Sequence, residues 1–160
     1  MSLSQTVEGF NVVELDALDL EILRILMKNC RKSAREIARE LGKSPTIIAK
    51  KVRKLEELGV VKSCKAVVDV KKLGFGIMAL IMLNVEGAHI EEVERVLANE
   101  PNVRGVYDIT GEFDVAILAL FRDVDELDRF VKRMLKNPFI KRSVTSVIFK
   151  AVKDEINIDI

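Results

Sequence analysis

Three features of the sequence predict an α+β fold in two parts. Three short amphipathic helices lie between Asp16 and Gly59, the periodicity turns from helical to extended after Gly59, and patterned segments in the order β-α-β-β-α-β follow from Gly76. The expected architecture is an N-terminal winged helix-turn-helix domain followed by a C-terminal ferredoxin-like βαββαβ domain. A chain of 160 residues that is 49% apolar can build two small cores. The expected division is an unpatterned, mobile N-terminus at 1–13, the helical domain at 14–62, a hinge strand and linker at 63–75, and the ferredoxin-like domain at 76–160.

The first helix is expected to start at Asp16 and end near Asn29. Asp16 is the cap, Asp19 stands at N3 where a negative charge suits the helix dipole, and Leu18, Ile22, Leu23 and Leu26 form the apolar stripe. Ser33 and Glu36 make a capping box for the second helix, whose Ile37, Ala38 and Leu41 face inward and which Gly42 ends in a left-handed conformation. Ser44 as cap and Pro45 at N1 open the third helix. Its Ile48, Val52 and Leu55 fall on one face, while Thr46, Lys50, Arg53 and Lys54 fall on the opposite one, with Lys43 before the helix and Lys51 at its flank. A basic helix face that follows a capped helix and a tight turn is how a recognition helix meets the major groove of DNA. Thr46 and Lys50 can then reach base edges, and Lys43, Ser44, Lys51, Arg53 and Lys54 the backbone around them. Ile47, beside this face, is placed to touch a thymine methyl. Val60-Val61-Lys62 and Ala66-Val67-Val68 read as the two strands of a wing, with Lys62 and Lys65 as phosphate contacts. Leu73-Gly74-Phe75-Gly76 marks the domain boundary.

In the second half, Gly76 to Val85 is a strongly apolar strand, expected to be buried on both faces or used in an interface. His89 to Ala98 is a helix with Ile90, Val93, Val96 and Leu97 inward. Val103 to Thr110 and Phe113 to Phe121 form a hairpin about the turn Gly111-Glu112. Asp123 and Glu126 make a capping box for a helix that buries Leu127, Phe130, Val131 and Met134 and stops at Asn137-Pro138. Ser143 to Val152 is the last strand, with a short extension at Ile156 to Ile160. A ferredoxin-like sheet carries both helices on one face, so the apolar residues of the other face call for a partner subunit. A two-fold symmetric dimer also matches a palindromic DNA site.

Bulk properties narrow the function classes. Residues 1–72 hold 15 Lys+Arg against 10 Asp+Glu, a net +5, and residues 73–160 hold 11 against 15, a net −4, so an anionic partner belongs to the first half. No apolar run is long enough to span a bilayer and no secretory signal opens the chain, which predicts a cytoplasmic protein without a membrane partner. Cys30 and Cys64 are the only cysteines. They could pair, but nothing marks a disulfide framework, and a reducing compartment is the simpler expectation. With a single histidine, His89, and no Cys/His cluster, neither a metal nor a cofactor is expected.

The runs Leu15-Asp16-Ala17-Leu18-Asp19, Ile22-Leu23 and SPTIIAKKVRKLEELGVVK resemble the leucine-responsive Lrp/AsnC, or feast/famine, transcription regulators, and GEFDVAILALFRD at 111–123 resembles that family's effector-binding half. The resemblance covers about residues 14 to 153. It implies a DNA-binding regulator that dimerises through its second domain, assembles further into octamers, and binds an amino acid or related small metabolite between dimers. It places the effector pocket at Thr110, Gly111, Glu112, Phe113 and Asp114, with Thr145 and Ser146 from the last strand. Glu112 or Asp114 would hold an α-ammonium, and backbone and hydroxyl groups an α-carboxylate. The chain departs from the family's pattern at Cys64, where an aromatic is usual in the hinge, and at Cys30, where a small residue is common; buried, inert thiols are expected there.

The leading expectation is therefore a sequence-specific DNA-binding transcription regulator. The alternative is a chromosome-organising protein that wraps DNA with little sequence preference. An enzyme built on Asp108 and Asp114 as an acid/base pair finds no nucleophile or metal set to support it, so no catalytic residue is assigned.

Overall fold

A computed structural model describes residues 12–154 and 160. The sequence expectations for residues 1–11, and for an extended segment over 156–159, lie outside these residues. The chain divides into two compact units, the first holding the described residues up to Val67 together with Ile160 and the second spanning Val68–Asp154.

The first unit holds three helices, α1 (Ala17–Lys28), α2 (Ala34–Leu41) and α3 (Pro45–Glu57). The expected capping box of α2 is present, with Ser33 and Glu36 each accepting from the other's N–H. The expected cap of α1 proves to be a box as well: Asp16 Oδ1 accepts from the Asp19 N–H at 2.9 Å while Asp19 Oδ2 accepts from the Asp16 N–H at 3.1 Å. Gly42 ends α2 at φ 62°, in the left-handed region. Ser44 occupies the cap position of α3, but its side chain makes no capping bond; Pro45 at N1 starts the helix. Ile22, Leu23, Ile37, Ala38, Ile48 and Leu55 form the core, with Leu15, Leu18, Leu26, Leu41, Val52, Val60 and Val61 packed around it.

Neither expected wing strand forms, and residues 62–69 carry no strand. Val60 and Val61 pack on the helices, and the Val61 N–H donates to the Leu55 carbonyl at 3.1 Å instead of entering a ladder. The expectation of free thiols is also corrected, because Cys30 and Cys64 form a disulfide. The bond ties the tip of the expected hairpin back to the turn between α1 and α2. Two strands of three residues are too short to persist without a neighbour, and Val67 and Val68 are left exposed.

The second unit runs β1 (Ile77–Val85), α4 (Ile90–Ala98, after a 3₁₀ turn at Gly87–His89), β2 (Val103–Asp108), β3 (Val115–Phe121), α5 (Val124–Met134) and β4 (Ile140–Ile148). All strands are antiparallel in the order β2-β3-β1-β4. This is the ferredoxin-like arrangement the patterning predicted. Ala79, Ile81, Leu83 and Val85 of β1 join Val115, Ile117, Ala119 and Phe121 of β3 beneath Val93, Leu97, Leu127, Phe130 and Met134 of the helices. The strand β1 is thus fully buried on one face only. Its alternate residues Met78, Leu80 and Met82 stand opposite Leu120, Leu118 and Ala116 on the other face, where Leu80 is 36% exposed.

Four details depart from the sequence reading. The last strand begins at Ile140 and ends at Ile148, because its start pairs with Val85 and its end with Met78, leaving nothing for residues 149–152 to pair with. Val96 points outward and is 53% exposed, since Val93 and Leu97 already face the sheet. Asp123 caps α5 through the Glu126 N–H at 2.7 Å, but the box is not reciprocal: Glu126 accepts instead from the Arg122 N–H and from Asn102, linking α5 to the loop before β2. The residues expected as a hinge strand, 63–75, form no strand; a turn at 70–74 carries Gly74 at φ 90°.

Candidate DNA-binding face and effector turn

The outer side of α3 is a shallow depression lined by Ile47, Lys50, Lys51, Arg53, Lys54 and Glu57. Residues three and four apart share a helical face, which is why one side of α3 buries Ile48 and Leu55 while Lys50, Arg53 and Lys54 stand exposed on the other and Lys51 lies partly buried at the border between them. Ile47 is 50% exposed, as a base-contacting apolar residue requires. Lys43, Ser44 and Thr46 are exposed at the start of the helix, and Lys62 and Lys65 are exposed on either side of Cys64.

The cations of this face are not equivalent. The Lys51 ammonium donates to Asp16 and, at 2.9 Å, to Asp19 Oδ1; that of Lys54 donates to Asp19 Oδ2 at 3.1 Å. Asp19 is completely buried. Burial alone pushes its carboxyl up, but the bonds from Lys51, the Asp16 backbone and Lys54 outweigh that and hold its pKa down at about 2. Hydrogen bonding to Asp16 and Asp19 correspondingly raises Lys51. Lys43, Lys50 and Arg53 take part in no ion pair among the described residues.

In the second unit, Thr110 to Asp114 form the turn between β2 and β3, with Gly111 at φ 118°. The turn is stitched to the sheet. Asp114 Oδ2 accepts from the Val85 N–H at 2.9 Å, the Asp114 N–H donates to the Leu83 carbonyl at 2.9 Å, and Asn84 Nδ2 donates to the Glu112 carbonyl at 2.6 Å. The Glu112 carboxylate meets Arg142 at 2.8 Å, and the Arg142 guanidinium lies 5.3 Å from the centre of the Phe113 ring. The turn therefore sits at the Val85 end of β1. Thr145 and Ser146 pair with Ile81 and Leu80, some 13 to 16 Å further along the strand at about 3.3 Å per residue. They also point to opposite faces, Thr145 toward the helices and Ser146 toward the open side. A single chain brings neither to the turn.

Residues 78–158 match the Lrp/AsnC ligand binding domain, and residues 15–62 match a winged helix-turn-helix DNA-binding domain. The chain belongs to the Lrp/AsnC family. Among its relatives, an uncharacterized HTH-type transcriptional regulator of Pyrococcus horikoshii is 36% identical over 92% of this chain and 99% of its own length. The LrpC structure of B. subtilis superposes with a TM-score of 0.80 at 29% identity, covering 89% of this chain and 100% of that one. A Neisseria meningitidis transcriptional regulator solved as an L-Met complex shares the fold at a TM-score of 0.83 and 23% identity, over 91% and 97% of the two chains. Like its relatives, this Lrp/AsnC protein is a transcriptional regulator, not an enzyme, with a DNA-binding helix-turn-helix and a ligand-binding domain. None of its described helices is long and apolar enough to cross a membrane.

Two participants escaped the sequence reading. Arg142 is the β4 residue that actually meets the turn, and only the strand register reveals it. Asp19 has a capping role legible in sequence, yet its pairing with lysines 32 and 35 residues away is tertiary.

Proposed function

We propose that this Lrp/AsnC protein is a sequence-specific regulator that reads a palindromic DNA site with two copies of α3 and is modulated by an amino acid or related metabolite. The observation that carries the proposal is the outer face of α3, where Lys50 and Arg53 lie beside the exposed Ile47. Thr46 and Lys50 reach base edges, while Lys43 and Arg53, with Lys62 and Lys65, contact phosphates. The second copy docks on the open face of the sheet, where Met78, Leu80, Met82 and Leu118 are not fully buried and no helix of the second unit covers them. Further assembly into octamers would bring Thr145 or Ser146 of a neighbouring copy toward the turn at Thr110–Asp114, completing a pocket that one chain leaves incomplete. The match to a ligand-binding domain supports a small effector, and the L-Met complex of the Neisseria relative supports an amino acid.

The test is selection of a bound sequence from random duplexes, followed by footprinting at moderate salt. One dominant palindromic site, lost on Lys50→Ala with Arg53→Ala while oligomerisation persists, is the expected result. Extended periodic protection with no dominant site would point to DNA wrapping instead. Unchanged binding by the double variant would remove α3 from the interface.

A further inference from the structure

Within the basic face of α3, two of the cations are already spoken for. Asp19 is the one charged residue among the described residues that is fully buried. It accepts three bonds, from Lys51 Nζ, Lys54 Nζ and the Asp16 N–H. Its position on α1 makes those contacts a bridge between the first helix and α3. The Lys51 side chain is only 19% exposed and is shared with Asp16, and Lys54 is 45% exposed. Lys50 and Arg53, one position before each of them, are rotated about 100° around the helix and join no ion pair among the described residues.

We infer that Asp19 is a positioning and specificity-determining residue of the DNA-binding face: together with Asp16 it anchors Lys51 and Lys54 to α1 and withholds their charge from phosphate. This rests on the reading of α3 proposed above, and it divides that helix's cations by task. The consequence for recognition follows from the charge balance. Every lysine that pairs with phosphate adds affinity for all sequences alike, with a salt dependence of about 0.9 in the log–log slope per contact. Neutralising two of them inside the protein lowers indiscriminate binding and leaves base contacts by Thr46, Ile47 and Lys50 to set the preference. Replacing either partner alone leaves the other as an uncompensated charge, strongly destabilising where the group is buried, so the three side chains act as a unit.

The experiment measures the salt dependence of binding to the selected operator and to random duplex DNA for three proteins: the native chain, Asp19→Asn, and the triple variant Asp19→Asn with Lys51→Met and Lys54→Met, each checked for native circular dichroism. Asp19→Asn frees Lys54 and loosens Lys51 on both copies of α3, so its slope on random DNA is expected to steepen by about two to four and its operator preference to fall tenfold or more. The triple variant, which holds no unpaired buried charge, is expected to keep the native slope. Should Asp19→Asn unfold, the triple variant decides alone. A triple-variant slope about three to four units shallower than native, the loss expected for two lysines on each of two copies of α3, would show that Lys51 and Lys54 contact phosphate in the native complex and overturn the inference. An unchanged slope and preference in folded Asp19→Asn would overturn it as well. Absence of any salt-dependent binding by the native chain would instead overturn the reading of α3 itself.

Discussion

Cys30 and Cys64 are joined by a disulfide across 34 residues of sequence, with their Cα atoms 5.6 Å apart. The bond closes a ring around the whole of α2 and α3, and it anchors the segment leaving α3 to the turn that precedes α2. It therefore holds the helix-turn-helix and the beginning of the connection to the second unit in one covalent loop.

Opening this ring should destabilise the helical unit. In the chain-entropy picture a loop of this length is worth about 3 to 4 kcal/mol. Urea unfolding of the native chain with and without dithiothreitol, and of the Cys30→Ser, Cys64→Ser variant, should show that loss in the first unit only. Equal midpoints in oxidised and reduced protein would mean that the thiols are not paired in solution.

Acid should act on the same unit through Asp19. Its folded-state pKa of about 2 lies below the ordinary value of 3.8, so its ion pairs contribute fully above pH 3.8 and are lost as the pH falls toward 2. At about 1.4 kcal/mol per unit this amounts to roughly 2 kcal/mol. Thermal unfolding of the native chain between pH 5 and pH 2, compared with the triple variant that lacks the three charges, should show a component of the acid dependence in the native chain alone. Parallel curves would rule out the buried pairing.

Gly42 provides a test confined to backbone conformation. It ends α2 at φ 62°, and a Cβ added there would meet nothing within 4 Å. Gly42→Ala is thus expected to cost only the left-handed strain, about 1 to 2 kcal/mol, lowering Tm by several degrees in a unit of this size. A change within half a degree in differential scanning calorimetry would mean the turn relaxes to another conformation.

Leu80 lies opposite Leu118 in the middle of the open sheet face. Leu80→Asp with Leu118→Asp should leave the second unit folded, since neither side chain belongs to its buried core, yet abolish a dimer formed there. Sedimentation velocity at micromolar concentration reads the outcome directly. A dimer that survives both charges would place the interface elsewhere.

Much of the architecture was legible in the sequence. The spacing Ser33–Glu36, Pro45 after Ser44, and the alternation through β1 and β3 depend on residues close together in the chain, where local rules hold. The basic face of α3 could be found in the same way, because a helical wheel needs no tertiary information. The strand errors share one cause. The wing strands were read from β-branched residues at 60–61 and 67–68, but strand formation needs a partner, and the disulfide and the Leu55 carbonyl claimed the segment first.

What the sequence by itself determined is therefore the order and type of the elements, the face each helix buries, and membership of a DNA-binding family through motifs that span both halves. Tertiary structure decided which charges remain available. Lys50 and Lys51 are neighbours with identical chemistry, yet one helix rotation turns Lys50 to the outside and seats Lys51 on Asp16 and Asp19. Thr145 and Ser146 are likewise adjacent, and the pleat sends them to opposite faces. In each case the deciding quantity is the direction of a side chain relative to a distant element, which exists only once the chain has folded.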